Sequence, residues 1–185
     1  MRKRVLPLLF ALVFFSFPAC GENARGAAEA FREGVLARFP LRFEASLSVS
    51  LGEDLALYRL AVLAEEAHTD LALLEPEALS GLSARVEGKD LSLTYDGILF
   101  STEIPEGMEG SPLTLISGAL EALRDGVLTE SFFRGKELIA DFTRYDGEDA
   151  VTYRFVFRRD GGAVDSVAVL HEGKEIASAA FSPSL

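Results

Sequence analysis

The sequence predicts a mainly β (α+β) protein: one large, curved antiparallel sheet of about eleven strands, with helices covering its concave face. Three observations carry that expectation. Apolar residues alternate with polar ones over most of the chain, turn pairs such as Asp96-Gly97 and Asp146-Gly147 recur between the alternating runs, and only two stretches show helical spacing. The 185 residues, 49% of them hydrophobic, suffice for one core, and no internal repeat suggests a solenoid or propeller.

The first element is not part of the sheet. Arg2, Lys3 and Arg4 form a positive start, residues 5–19 are apolar, and the small Ala19 precedes Cys20, which is the pattern of an export signal. A spanning helix is the competing reading, but the apolar run is about fifteen residues against the ~20 needed, and Pro7 and Pro18 interrupt it. Phe17-Pro18-Ala19-Cys20 resembles a bacterial lipobox, although Leu is usual where Phe17 stands and Ser or Ala where Pro18 stands. That resemblance implies a signal peptide over 1–19, a diacylglyceryl or palmitate-type anchor on Cys20, a short tether over 20–26 and one β-rich domain over 27–185. Ordinary cleavage after Ala19 stays open. Cys20 is the only cysteine, so an exported chain offers it no internal disulfide partner.

Charge narrows the partners. The chain carries −11, and losing Arg2, Lys3 and Arg4 with the signal makes the remainder more acidic still. Such a surface repels phosphate backbones and anionic headgroups, so nucleic acid is not expected as a partner, and a membrane is expected only through the lipid on Cys20.

The pass along the mature chain opens with a helix over 24–39, capped by Asn23, striped by Ala27, Ala30, Phe31, Val35 and Leu36, and stopped by Pro40. From Leu41 to Leu51 the period becomes two. The turn Gly52-Glu53-Asp54 leads to strands over 55–65 and 69–74, a helical turn over 76–80, and strands over 82–86, 91–95 and 98–104. A second helix is expected over 111–126, with Ser111 as N-cap, Pro112 at the first position and Gly126 just past the end. Its apolar face is Leu113, Ile116, Leu120 and Leu123. Strands over 128–134, 137–145, 151–159, 163–171 and 175–181 then form a second meander.

This order of elements resembles the superfamily of lipoprotein-sorting carriers and mycobacterial lipid-binding lipoproteins. The passage Glu75-Pro76-Glu77-Ala78-Leu79-Ser80-Gly81-Leu82, followed by Leu91 to Leu99, is similar to passages in lipoproteins of Gram-positive bacteria. The resemblance implies an unclosed β-barrel whose helix-covered concave face holds acyl chains, and it brings no catalytic residue. The sorting carrier is soluble in the periplasm, whereas a tether at Cys20 would hold this chain on the membrane.

Chemistry is sparse. His68 and His171 are the only histidines, and no nucleophile elbow, phosphate loop or zinc motif occurs, so no enzyme, cofactor or metal is expected. Both histidines read as solvated turn residues. Asp146, Glu148 and Asp149 crowd one turn but lack calcium-loop spacing. Residues 55–63 and 151–157 are apolar on both faces in part, which fits either a ligand cavity or a filled core. The expected function is a membrane-anchored lipoprotein on the extracytoplasmic face of the cell membrane. It would bind a lipid or other amphiphile, with Leu113, Ile116, Leu120 and Leu123 as lid and cavity wall. The alternative is a tethered scaffold with a packed core, meeting a protein partner that the sequence does not name.

Overall fold

The computed structural model describes residues 23–51, 54–105, 107–108, 110–146, 149–160 and 163–183. The signal, Cys20, the start of the tether, the turn at Gly52-Glu53, the side chains of the 146–149 turn and Gly161-Gly162 lie outside the described residues.

Helix α1 spans Ala24–Leu36, and the Asn23 side chain accepts a hydrogen bond from the Arg25 backbone N–H at 3.0 Å, as an N-cap does. It ends three residues before the expected Phe39. Pro40 disfavours helical geometry at the residue before it, and the Ala37 backbone N–H already closes the last turn on Glu33.

Eleven strands follow among the described residues: β1 Leu41–Leu51, β2 Asp54–Ala64, β3 Thr69–Glu75, β4 Ser83–Glu87, β5 Asp90–Tyr95, β6 Ile98–Glu103, β7 Val127–Arg134, β8 Glu137–Asp146, β9 Asp149–Arg158, β10 Val164–His171 and β11 Lys174–Pro183. Each lies within two residues of its expected range. A 3-10 turn, Glu77–Leu79, stands where a helical turn is expected. The strands form one antiparallel sheet in the order β6-β5-β4-β3-β2-β1-β11-β10-β9-β8-β7. Each meander is built from neighbours in sequence, and they are joined where β1 pairs with β11, Phe43 opposite Pro183 through Val49 opposite Ala177.

Alternation sets which side faces the core. On β1, Ala45, Leu47 and Val49 are buried while Glu44, Ser46 and Ser50 are exposed. The β5–β6 hairpin turns on Asp96 and Gly97, both at positive φ, and Gly97 supplies the left-handed conformation that a tight two-residue turn requires.

Helix α2 spans Leu115–Asp125 and Gly126 caps its end, as expected. Its start differs from the sequence expectation, because Ser111 is not the N-cap. The Ser111 hydroxyl pairs with the Thr114 hydroxyl at 2.8 Å and the Thr114 hydroxyl donates to the Met108 carbonyl. The side chain that would cap the helix is thus occupied in a preceding turn, and the helix begins four residues later.

Two arginines and a row of rings fix the helices to the sheet. The Arg32 guanidinium of α1 donates to the carbonyls of Arg124 and, at 3.2 Å, Gly126, which would otherwise be orphaned at the C-terminus of α2. Arg124 in turn stacks over Phe39 at 4.7 Å and donates to the Glu65 carbonyl at 2.7 Å. Phe31 stacks on Phe157 at 5.4 Å, and Phe157, Phe155 and Phe142 continue as successive ring contacts across β9 and β8.

The opposite wall of α2 meets Tyr153. A Cβ added at Gly118 would fall on the buried Tyr153 hydroxyl and lie 3.1 Å from its ring carbon Cζ. Gly118→Ala is therefore expected to lower stability: a helix-propensity gain of about 1 kcal/mol is outweighed by an overpacking cost of roughly 1–3 kcal/mol. Denaturant unfolding of Gly118→Ala in the wild-type and Tyr153→Phe backgrounds checks this, and the loss should shrink when the hydroxyl is absent.

Candidate functional site

An apolar cavity of about 200 Å³ lies between α2 and the centre of the sheet. On α2, residues at helical spacing build one wall: Ile116, Ala119, Leu120 and Leu123. Val35 of α1, Phe155 of β9 and Phe181 of β11 complete the interior. Three of the four residues singled out from the sequence thus line one cavity. Leu113 does not, because the helix starts after it; it is half-buried against the core.

The rim is of a different chemistry. Arg38, just past α1, Arg42 near the start of β1 and Arg158 at the end of β9 all line the opening and are exposed. Nothing in the sequence pattern marks these arginines, since they come from three elements far apart in the chain.

Helix α2 does not sit as a surface lid. Leu115 through Leu120, Ala122 and Leu123 are all buried, so the helix is enclosed nearly all round, as a core helix is. Its other side faces a second, polar cavity of about 540 Å³. Glu66, Glu121 and Asp125 stand there beside Lys89, Arg124 and Arg144, and Arg144 pairs with Glu121 at 2.6 Å. This second cavity balances its own charge.

Neither histidine is placed for catalysis by a recognisable constellation, and among the described residues no group of His, Cys, Asp and Glu could hold a metal ion. His171 ends β10 beside a tight turn and is exposed, as expected. His68 is not a simple solvated residue. Its Nε2 lies 3.4 Å from Asp70 and 3.9 Å from Glu65, in a surface ion-pair group that Arg85 completes by a two-point hydrogen bond to Asp70 at 2.7 and 2.8 Å. Among the described residues no helix is long and apolar enough to cross a membrane.

The geometry defines a class of fold: an open, curved antiparallel sheet wrapped on two helices. A DUF1329 family protein from Desulfovibrio piger shares it, with a TM-score of 0.51 at 9% identity over 85% of this chain and 90% of that one. A LolA superfamily protein from Nitrosomonas europaea (TM-score 0.47, 13% identity) and an uncharacterized conserved protein from Thermus thermophilus (0.48, 13%) each align with 85% of this chain, over 90% and 88% of their own lengths. At these identities the likeness is one of fold. No family profile and no curated protein matches the chain.

The Arg85 hydrogen bonds hold the Asp70 carboxyl below its ordinary range, against the opposing pull of partial burial. A lowered folded-state value means that this carboxylate stabilises the fold above its unfolded value, about 3.9, and that the contribution is lost as pH falls through the folded value. Asp70→Asn should therefore flatten the acid limb of the stability profile below about pH 4. Urea midpoints measured from pH 7 down to pH 2.5 check this, and unchanged curvature would contradict it.

Proposed function

We propose that this protein is an extracytoplasmic lipoprotein, tethered to the membrane through Cys20, that holds a lipid or similar amphiphile in the apolar cavity beside α2. The observation that carries the reading is the cavity itself, an apolar space bounded by Ile116, Leu120, Leu123 and Phe155 inside a protein whose polar surface is otherwise acidic. An interior lined by rings and aliphatic side chains with polar groups only at the rim suits a ligand that is apolar along its length and polar at one end.

The volume sets a limit. Pockets for drug-sized ligands run to about 300–1,000 Å³, and the about 200 Å³ present here accepts a stretch of one chain. A bulkier ligand requires α2 to shift. A packed scaffold is the second reading, and the all-round burial of α2 favours it. The anchor rests on the sequence alone, on the lone Cys20 behind Ala19.

Organic extraction of the purified protein, followed by mass spectrometry, should release an amphiphile in stoichiometric yield. Leu120→Ala separates the two readings. In a close-packed core it costs about 2–5 kcal/mol, whereas beside a mobile ligand it costs less and reduces the copurifying lipid in a protein that still folds. No extracted lipid together with a full core-sized loss of stability would establish the scaffold. For the anchor, Cys20→Ser is expected to release the protein from the membrane fraction or leave it unprocessed, and a variant processed and membrane-bound like wild type would reject lipidation.

A further inference from the structure

The headgroup of the ligand is open in the reading above, and the rim of the cavity bears on it. The chain has 29 Asp and Glu against 18 Lys and Arg, so a random stretch of its surface is more often acidic than basic. The opening of the apolar cavity runs against that composition. Among the described residues, the charged groups that line it are Arg38, Arg42 and Arg158, and no carboxylate does. The polar cavity across α2 shows the contrast, since three acids and three bases face each other there and leave no net preference for an ion of either sign.

Two of these arginines, Arg38 and Arg158, are also available to a ligand. Arg38 forms no ion pair among the described residues, and Arg158 has a single pairing, to Asp165 at 3.4 Å between half-exposed side chains. Such a pair is weakly held in water. A guanidinium offers a planar fork of donors that matches the two oxygens of a carboxylate or phosphate, and it does so more selectively than an ammonium. The three come from just past α1, the start of β1 and the end of β9, and they line the same cavity as the apolar side chains of Leu120, Leu123 and Phe181.

The geometry points to an anionic single-chain amphiphile as the ligand class, its acyl chain in the cavity and its carboxylate or phosphate headgroup on Arg38, Arg42 and Arg158. This rests on the amphiphile reading and adds the sign and place of the headgroup. The volume restricts the buried part to one chain, so a headgroup bearing several chains would leave the others outside.

Calorimetric titration of the purified full chain, stripped of copurifying lipid, with oleate, oleoyl lysophosphatidate and uncharged monoolein tests it below their micelle concentrations. Both anions should bind about tenfold or more tightly than monoolein, the order of one charge-assisted contact, and the tighter of the two identifies carboxylate or phosphate as the headgroup. In the double variant Arg38→Gln/Arg158→Gln that advantage should fall to about twofold or less, with monoolein affinity unchanged. The single variant Arg38→Gln, at a solvent-facing residue, serves in its place where the double variant does not fold, and should remove part of the advantage. Equal affinity for all three, or an anion preference that survives the substitutions, overturns the headgroup assignment and leaves amphiphile binding standing. Binding of none of the three overturns both.

Discussion

The pairing of the first strand with the last holds the rest of the molecule in place. Every other ladder joins strands that are neighbours in sequence, so each meander closes through short turns, but β1 finds β11 only when almost the whole chain has been placed. One member of that pair, β11, joins β10 and β8 in the floor against which α2 lies. Ala45, Ala177 and Ala179 are buried at this junction, and their short side chains let the helix and its entry loop approach closely. At Gly110 a Cβ would stand 2.9 Å from the Ile176 Cδ1 and 3.7 Å from Ala177, so the loop before α2 passes directly over β11. The cavity lies to one side of that close approach, between Leu41, Phe43, Phe155 and Phe181 of the strands and Ile116, Leu120 and Leu123 of the helix. Contacts so distant in sequence also make a slow folding reaction the physical expectation.

The two helices depend on one another. Arg32 satisfies carbonyls at the end of α2, and Arg124, one residue before the end of that helix, reaches the β2–β3 turn and the Phe39 ring. A displacement of α2 toward or away from the sheet therefore breaks charge-assisted hydrogen bonds at its C-terminus first. Its N-terminal half is held by the smaller contacts of Ser111 and Thr114 and by the fit of Gly118 against Tyr153.

Most of the sheet was legible in the sequence because its information is local. Period-two alternation fixes a strand and its buried face, as in Ala45, Leu47 and Val49, and a pair such as Asp96-Gly97 fixes the turn. What lies over a strand is not local. Ile98, Leu99 and Phe100 form an apolar run, yet all three are exposed in β6, an edge strand of the sheet. The start of α2 was misread for a similar reason, since nothing in Ser111-Pro112 reveals that the Ser111 hydroxyl is taken by Thr114. Of the cavity, one helical face was visible at Ile116, Leu120 and Leu123. Val35, Phe155 and Phe181 reach it only through the tertiary fold, and the rim arginines carry no pattern at all.

The overall acidity of the chain and a basic rim are compatible because the two act over different distances. At physiological ionic strength charges beyond about 8 Å are largely screened, so the −11 total is felt by a broad anionic surface brought up against many of these charges at once and has little hold on a single headgroup at the opening. Close approach is decided by the nearest groups, Arg38, Arg42 and Arg158, whose effect grows as apolar walls replace water on one side of the ion. On the proposed reading the two fields would divide the work: the surface would discourage adsorption to anionic bilayers as a whole, and the rim would select one molecule at contact. A lipid tether fits that division, because it keeps the protein beside a membrane to which its own surface does not adhere.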